Sequence, residues 1–166
     1  MLRLERLRAD HETALLAFER ENREYFARSV PDRGDAYFAE FPARHLALLA
    51  EQAAGTCHFH LVVDEAGELA GRINLVDAED GTADLGYRIG ERAAGRGAAT
   101  AAVGEVCRLA ASEYGLHTLT AATTLDNAAS AAVLRRTGFT VVGDTVLNGR
   151  PAIQYRRALD GPPTGR

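Results

Sequence analysis

The chain has 166 residues, 46% of them hydrophobic and 25% charged, which is typical of one soluble folded domain. Its 19 basic and 23 acidic residues leave a formal net charge of -4, which argues against a surface for nucleic acid. No apolar stretch is long enough to predict a membrane-spanning helix. The two cysteines, Cys57 and Cys107, form neither a metal-ligand pair nor a disulfide framework, so a cytoplasmic protein is expected.

The N-terminal part of the chain predicts one short strand followed by helices. Leucines alternate with charged residues over Leu2–Leu7, which indicates an amphipathic strand. Asp10 then resembles the N-cap of a helix. Two helical stretches are expected, each with an internal break: His11–Arg28 with a break near Asn22, and Asp35–Ala53, which Pro42 can split.

After Gly55 the pattern changes to strands separated by two helices. Asn148-Gly149 is a hairpin turn signal between the last two strands. The order β-α-α-β-β-β-α-β-α-β-β predicts an α/β (α+β) fold, with a mixed sheet of about seven strands flanked by helices. We expect one domain over residues 1–159 and a loose tail over residues 160–166. The predicted elements are strands over Thr56–Asp64, Glu68–Val76 and Ala83–Ile89, a helix over Ala98–Tyr114, a strand over His117–Leu125, a helix from Asp126 to Thr137, and strands over Phe139–Val146 and Ala152–Arg157.

A glycine loop, Arg92-Ala93-Ala94-Gly95-Arg96-Gly97, joins a predicted strand to the clearest predicted helix. The first backbone N–H groups of a helix have no partner within it, and together with the helix dipole they form an anion site. Gly95 and Gly97 lack Cβ atoms, so a diphosphate can approach the backbone. Arg92 or Arg96 can add charge-assisted contacts. The loop alone is consistent with a phosphate site or with a simple tight turn.

Two other phosphate-binding motifs are disfavoured. A P-loop requires a lysine after its last glycine, and the chain contains no lysine. The Rossmann fingerprint requires a Gly or Ala three residues after the second glycine, where this chain has Thr100. The predicted order is also not the uniform βαβ repeat of a Rossmann fold.

Four segments in the right order resemble the GNAT superfamily of N-acetyltransferases. Arg92-x-x-Gly95-x-Gly97 is similar to its pyrophosphate signature. The resemblance extends from about Leu4 to Tyr155 and is strongest from Gly71 to Gly143. Three further segments resemble the RimJ/RimL-type subgroup: Asp84–Ile89 (DLGYRI), Gly115-Leu116-His117, and Asn127–Ser130 followed by Leu134–Phe139 (LRRTGF).

The resemblance implies that acetyl-CoA is the co-substrate and that it binds between the Tyr87–Ile89 strand and the His117–Leu125 strand. Backbone N–H groups from Ala94 to Thr100 would hold the pyrophosphate, and the backbone of Tyr87–Ile89 would pair with the pantetheine arm. The implied CoA-binding residues are Tyr87, Arg88, Ile89, Arg92, Ala94, Gly95, Arg96, Gly97, Ala98, Ala99, Thr100, Asn127 and Ser130.

The reaction implied by the resemblance is direct attack of a primary amine on the acetyl thioester. An α-amine has a pKa of about 8, so a weak base suffices. Ser130 follows Asn127 by one helical turn and is expected near the sulfur, as a hydrogen-bonding group or an acid. Asn127 is expected to contact the pantetheine, to cap the helix, or both. The candidate bases are Asp84, on the same strand face as Gly86, and Glu24, in the N-terminal helical region, and a chain of waters is the alternative.

The acceptor stays open between a protein N-terminus and a small-molecule amine. The segment Arg150–Ile153 is shorter than in RimJ/RimL-type chains and lacks the acid common there. Asn22 and Arg23 are expected among the residues that line the acceptor pocket. A homodimer is left open, and neither nucleic acid nor a membrane is expected as a partner. The alternative function is a non-catalytic acyl-CoA-binding sensor or partner module.

His58 and His60 form an H-x-H pair on one strand face. That spacing can bind a metal, but the sequence offers no evident third ligand. We therefore expect the two histidines to lie on the sheet surface or in a pocket, and we expect no metal.

Overall fold

The computed structural model describes residues 2–159, so the predicted tail over residues 160–166 lies outside the described residues. The N-terminal elements are β1 (Arg3–Arg6), a 3-10 turn (Ala9–His11), α1 (Glu12–Glu21), α2 (Arg23–Ala27), α3 (Asp35–Ala39) and α4 (Phe41–Ala53). They are followed by β2 (His58–Val63), β3 (Leu69–Glu79), β4 (Thr82–Ile89), a 3-10 turn (Glu91–Ala93), α5 (Ala98–Ser112), β5 (Thr118–Thr124), α6 (Ala128–Arg136), β6 (Thr140–Leu147) and β7 (Arg150–Ala158). The predicted order is confirmed, with each of the two N-terminal helical stretches divided in two.

The seven strands form one mixed sheet in the order β1-β2-β3-β4-β5-β7-β6. Neighbouring strands are antiparallel except for β4 and β5, which are parallel. The parallel pairing extends only from Thr82↔Thr118 to Asp84↔Thr120, whereas β4 pairs with β3 as far as Ile89. The two central strands therefore separate beyond Asp84, and this opening positions the candidate site.

Hydrophobic clusters pack against both faces of the sheet. On β2, Val62 belongs to the cluster that contains α5, whereas Phe59 and Leu61 belong to the cluster that contains α1 and α4. This alternation follows from the two-residue period of a strand. Within residues 2–159, no helix combines the length and apolar character that crossing a membrane requires.

The helix breaks follow from local chemistry. The predicted break at Asn22 is confirmed, since α1 ends before it and α2 begins after it. Pro42 lies in the first turn of α4, where a missing N–H is tolerated, so the break precedes the proline. The prediction of Asp10 as a helix N-cap is wrong. Asp10 lies inside the 3-10 turn and pairs with Arg8 at 3.1 Å, while His11 occupies the N-cap position of α1.

The predicted hairpin turn between β6 and β7 is confirmed. Asn148 and Gly149 both have positive φ angles, of 53° and 73°. Two such residues are the usual choice for a tight turn whose twist matches the flanking strands.

Candidate active site

A cavity of about 500 Å³ lies where β4 and β5 separate. Because the pairing of the two strands stops at Asp84, the β5-facing edge of the β4 backbone beyond that residue opens into the cavity. The cavity is lined by all the predicted CoA-binding residues except Arg92 and Arg96, namely Tyr87, Arg88, Ile89, Ala94, Gly95, Gly97, Ala98, Ala99, Thr100, Asn127 and Ser130.

The glycine loop adopts a backbone conformation that is unfavourable for residues with a side chain. Gly95 and Gly97 have φ angles of +75° and +77°, in a region that costs other residues about 1–2 kcal/mol. A Cβ at either position would meet no atom within 4 Å, so conformation rather than close packing requires glycine. Gly97 is the N-cap of α5, and its carbonyl accepts from Ala101. The earlier N–H groups, Ala98 to Thr100, have no intrahelical acceptor and fit a pyrophosphate.

Arg92 and Arg96 do not line this cavity. Both line a neighbouring cavity of about 770 Å³ on the other side of the loop. Arg92 Nε lies 3.3 Å from Glu21 Oε1, and Arg92 Nη1 lies 3.9 Å from Glu68 Oε2. The loop thus offers backbone N–H groups to the cavity between β4 and β5, whereas these two guanidinium groups lie outside its lining.

Asn22 holds the start of the loop instead of lining an acceptor pocket. Its side chain is buried, Oδ1 accepts from the Glu91 N–H at 2.9 Å, and Nδ2 donates to the Phe18 carbonyl at 3.0 Å. A Cβ at Gly90 would lie 2.9 Å from the Phe18 ring and 3.2 Å from the Asn22 amide. The chain therefore passes so close to α1 that Gly90 leaves no room for a larger residue, and Asn22 sets the path into the loop.

A second cavity, of about 360 Å³, adjoins the first. At their junction the Tyr87 hydroxyl and Ser130 Oγ lie 2.6 Å apart. Burial raises the pKa of Tyr87, and the hydrogen bond with Ser130 opposes that rise. A donor in the first cavity and an acceptor in the second would meet beside these hydroxyls. The residues that line both cavities are Ser29, Val30, Tyr87, Arg88, Asn127 and Ser130.

Asn127 is the N-cap of α6. Its Oδ1 accepts from the backbone N–H of Ser130 at 3.1 Å. The neighbouring Asp126 instead accepts from Thr124 Oγ1 at 2.7 Å and pairs with Arg150. Since Asn127 also lines both cavities, capping and ligand contact are compatible roles.

Asp84 lines the second cavity. Thr120 Oγ1 donates to its Oδ1 at 2.8 Å. Although the carboxylate is open to solvent, partial desolvation by the surrounding protein raises its pKa. Repulsion by Asp77 adds to that rise, and the Thr120 hydrogen bond opposes it. A carboxylate with a raised pKa at a cavity wall can accept a proton.

Glu24 lies elsewhere. It is exposed on α2 and lies outside the lining of both cavities. Arg23, which the sequence places in the acceptor pocket, forms ion pairs with Asp32 at 2.8 Å and Asp35 at 2.9 Å and does not line the second cavity. Of the two candidate bases, Asp84 lines one of the two cavities and Glu24 lines neither.

Glu19 is absent from the sequence-based predictions and is 1% exposed. Its carboxylate is 2.9 Å from Arg72, 3.2 Å from Arg33 and 3.9 Å from Arg88. Glu19 follows Leu15 by one helical turn on the buried face of α1, so a charged residue on an apolar helix face was the available signal. The three arginines line the second cavity.

His58 and His60 are buried and pack against one tyrosine. His60 Nε2 lies 2.6 Å from the Tyr114 hydroxyl, and its Nδ1 lies 3.1 Å from the Ile73 carbonyl. The His58 ring stacks on Tyr114 with centroids 3.9 Å apart. Burial lowers the pKa of His60 to about 4. Among residues 2–159, no three metal-ligating side chains form a group that could hold an ion.

Comparisons with known proteins bear on the family and the fold of the chain. A family model described as an acetyltransferase (GNAT) domain matches residues 1–140. No curated protein sequence matches the chain. The ribosomal-protein-S5-alanine acetyltransferase from Vibrio fischeri has a similar structure, with a TM-score of 0.85 and 21% identity over 96% of this chain and 93% of that one.

Two further solved structures are similar. The acetyltransferase from Salmonella typhimurium that modifies the N-terminal serine of ribosomal protein L7/L12 has a TM-score of 0.82 and 23% identity, over 96% of this chain and 95% of that one. Spermidine N-acetyltransferase from Vibrio cholerae, in complex with CoA and spermine, has a TM-score of 0.78 and 15% identity, over 95% of each chain. At these identities the similarity establishes the fold, and it confirms the predicted architecture.

Proposed function

The chain belongs to the GNAT acetyltransferase family, and on that premise we propose that it transfers the acetyl group of acetyl-CoA to a primary amine. The observation that carries this proposal is the Tyr87–Ser130 hydroxyl pair at the junction of the two cavities. Transfer requires one site for the donor, one for the acceptor, and polar groups between them. Structural neighbours whose names include protein N-termini and spermidine support an amine as the acceptor.

The first cavity is the proposed donor site. Acetyl-CoA supplies the acetyl thioester that is transferred. The N–H groups of Ala98 to Thr100 hold its pyrophosphate at the N-terminus of α5. The unpaired edge of Tyr87–Ile89 forms backbone hydrogen bonds with the pantetheine arm, and Asn127 contacts that arm from the start of α6.

Ser130 and Tyr87 stabilise the departing sulfur in this proposal. A thiol has a pKa of about 8.5, whereas the ordinary value for tyrosine is about 10, and burial raises that of Tyr87 further. Full proton transfer from Tyr87 to the sulfur is therefore uphill. Ser130 Oγ donates a hydrogen bond to the sulfur, and Tyr87 donates to Ser130, so that the two hydroxyls stabilise negative charge as the thiolate forms.

Asp84 removes the proton that the acceptor must lose. A primary amine attacks only in its neutral form, and an α-amine with a pKa of about 8 is mostly protonated at neutral pH. The Asp84 carboxylate lines the acceptor cavity and accepts this proton directly or through one water.

A cytoplasmic location and a homodimer are also part of the proposal. Both cysteines are free and buried, as expected where thiols stay reduced. The edge strand β6 exposes Val142 and Val146, and covering them would favour association of two chains. Sedimentation analysis at several protein concentrations tests the homodimer.

Ligand-induced stabilisation tests the donor site. A ligand present at 100 times its dissociation constant stabilises a protein by about 2.7 kcal/mol, which for this chain length raises Tm by about 5–10 °C. We expect acetyl-CoA to produce this shift and ATP and NAD to produce none. Release of free thiol with a panel of amines then tests transfer. Binding of acetyl-CoA without acetylation of any amine would instead favour a non-catalytic sensor.

A further inference from the structure

Three arginines, Arg33, Arg72 and Arg88, line one part of the second cavity and are called here the arginine cluster. We propose that the arginine cluster binds a carboxylate on the acceptor, so that the substrates are primary amines that also carry a carboxylate group. This inference rests on the proposed function, because it names the substrate class of that same site.

The charges around the arginine cluster are unbalanced. The Glu19 carboxylate lies within 4 Å of all three guanidinium groups, so one negative charge faces three positive charges. The nearby Asp32 and Asp35 are both engaged by Arg23. The cluster therefore retains positive charge at the cavity wall, and an anionic group on a ligand would compensate it.

The surplus of positive charge also affects the pKa of Arg88. Burial lowers its pKa, and repulsion by Arg33 and Arg72 lowers it further, against the opposing effect of Glu19. A bound carboxylate would relieve both the repulsion and the incomplete solvation of these groups.

The guanidinium groups are held in place before any ligand binds. Arg72 is 5% exposed and donates to the Tyr37 hydroxyl at 3.1 Å. Arg33 stacks over the Tyr37 ring at 4.7 Å, and Arg88 stacks over the Phe26 ring at 5.1 Å. Planar, fixed guanidinium groups match the two oxygens of a carboxylate, and little rotamer entropy is lost on binding.

The part of the cavity beyond the arginine cluster along β3 and β4 offers acceptors for the amine. Asn74 is two residues from Arg72 along β3, on the same face. Its Oδ1 is buried and accepts no hydrogen bond from the described residues. Asp84 lies on the same face of β4 as Arg88, four residues away, or about 13 Å along the strand. An amine directed toward Asn74 and Asp84 would leave a carboxylate a few carbons away for the arginine cluster.

The positive charge of the arginine cluster disfavours amines that carry no carboxylate. A polyamine would bring positive charges beside the arginine cluster, which is repulsive. An amine whose carboxylate is replaced by an amide would leave the cluster without its anion. The remaining cavity arginine, Arg150, pairs with Asp126 and is not needed for the carboxylate.

The test compares amino acids whose amine and carboxylate are one to four carbons apart, each with its own amide. Acetylation is followed by thiol release, with spermidine as the cationic acceptor. The amides have the less basic amines, so ionisation of the amine alone would favour them. We expect kcat/KM for at least one amino acid to exceed that of its amide by about tenfold or more, as for loss of a hydrogen bond to a charged group.

Arg33→Gln is the decisive variant, because Glu19 keeps Arg72 as a close partner when Arg33 is lost. The variant should raise KM for the preferred amino acid about tenfold while kinetics with the amide stay nearly unchanged. Arg33→Lys should restore part of the loss. The matched control is Arg44→Gln, since Arg44 also stacks on Tyr37, at 5.5 Å, but does not line the cavity. Thermal unfolding confirms that each variant is folded.

The outcomes separate this inference from the proposed function. Equal or better acetylation of amides, peptide amides or spermidine would overturn the carboxylate preference and leave acetyl transfer intact. If no amine is acetylated, calorimetric titration of the same amino acids and amides decides the inference. If the amino acid binds more tightly than its amide and Arg33→Gln removes that difference, the inference is supported. If the amino acid and its amide bind equally well, the inference is overturned.

Discussion

The Tyr87 hydroxyl on β4 lies 2.6 Å from Ser130 Oγ on α6, although the two residues are 43 positions apart in sequence. The pair lies where two cavities meet. One cavity adjoins the glycine loop, and the other is lined by Asp84 and the arginine cluster. The hydroxyl pair therefore connects the proposed donor site with the proposed acceptor site.

Loss of the Ser130 hydroxyl should slow transfer with the fold intact. Ser130→Ala is expected to lower kcat about tenfold or more, since one charge-assisted hydrogen bond is worth about 1.5–3 kcal/mol. Tyr87→Phe should cause a smaller loss. If Tyr87 acts through Ser130, the double variant should be no slower than Ser130→Ala alone. Ser112→Ala, which removes an exposed hydroxyl on α5 bonded to the Arg108 carbonyl, is the control. Full activity in Ser130→Ala would contradict the assigned role.

The rate deficit of Asp84→Asn should depend on pH. With an acceptor amine whose pKa is about 8, about nine-tenths of the amine is protonated at pH 7, and loss of the base is expected to lower kcat about tenfold. As pH rises past the amine pKa of about 8, the amine arrives neutral and the deficit should shrink. Asp144→Asn removes an exposed carboxylate on β6 outside the cavity lining and should keep most of the activity. A deficit that is constant from pH 6 to pH 9 would exclude Asp84 as the base.

The role of Gly95 in binding acetyl-CoA can be tested by comparison with Gly67, which has a similar positive φ angle. Gly95 and Gly67 have φ angles of +75° and +81°, and a Cβ at either would meet nothing within 4 Å. Alanine at each position should destabilise the protein by about 1–2 kcal/mol. Only Gly95→Ala should raise KM for acetyl-CoA, because Gly67 lies in the turn between β2 and β3. Equal KM values for the two variants would argue against a role of the loop in binding.

Asn22→Ala should weaken acetyl-CoA binding without any direct contact to the ligand. Glu91 would lose the acceptor of its backbone N–H, and leaving such a group unpaired costs about 1–3 kcal/mol. KM for acetyl-CoA should rise more than kcat falls. The matched control is Gln52→Ala, since Gln52 also bridges two backbone groups, those of Leu7 and Phe59, away from the loop. The same KM increase in both variants would indicate general destabilisation.

The buried His60 should make stability fall in mild acid. Its pKa is about 4 in the folded protein and about 6.5 when unfolded, so only the unfolded chain binds the proton between these values. Its contribution is full above pH 6.5 and is lost as pH falls toward 4. The free energy of unfolding should drop by about 2 kcal/mol between pH 7 and pH 5. Denaturant unfolding of His60→Gln, which cannot take up this proton, should show a smaller drop.

The order of strands and helices could be predicted from the sequence, because it depends on local patterns. Alternating and helical periodicity located every strand and helix to within a few residues. The loop from Arg92 to Gly97 predicted the start of the following helix, whereas the positive φ angles of Gly95 and Gly97, which glycine adopts without strain, were seen only in the structure. The family resemblance implied Tyr87, Asn127 and Ser130 as residues of the proposed donor site.

Which side chains come into contact depends on the tertiary structure. Whether Arg92 faces the donor cavity depends on Glu21 of α1, and the role of Asn22 depends on a backbone group 69 residues away. Glu19 and the arginine cluster come from α1, a loop, β3 and β4, and their contacts are set by packing of helices across the sheet. Such long-range pairings leave no periodic signal in the sequence, because side-chain charge and spacing along one element do not specify a partner on another.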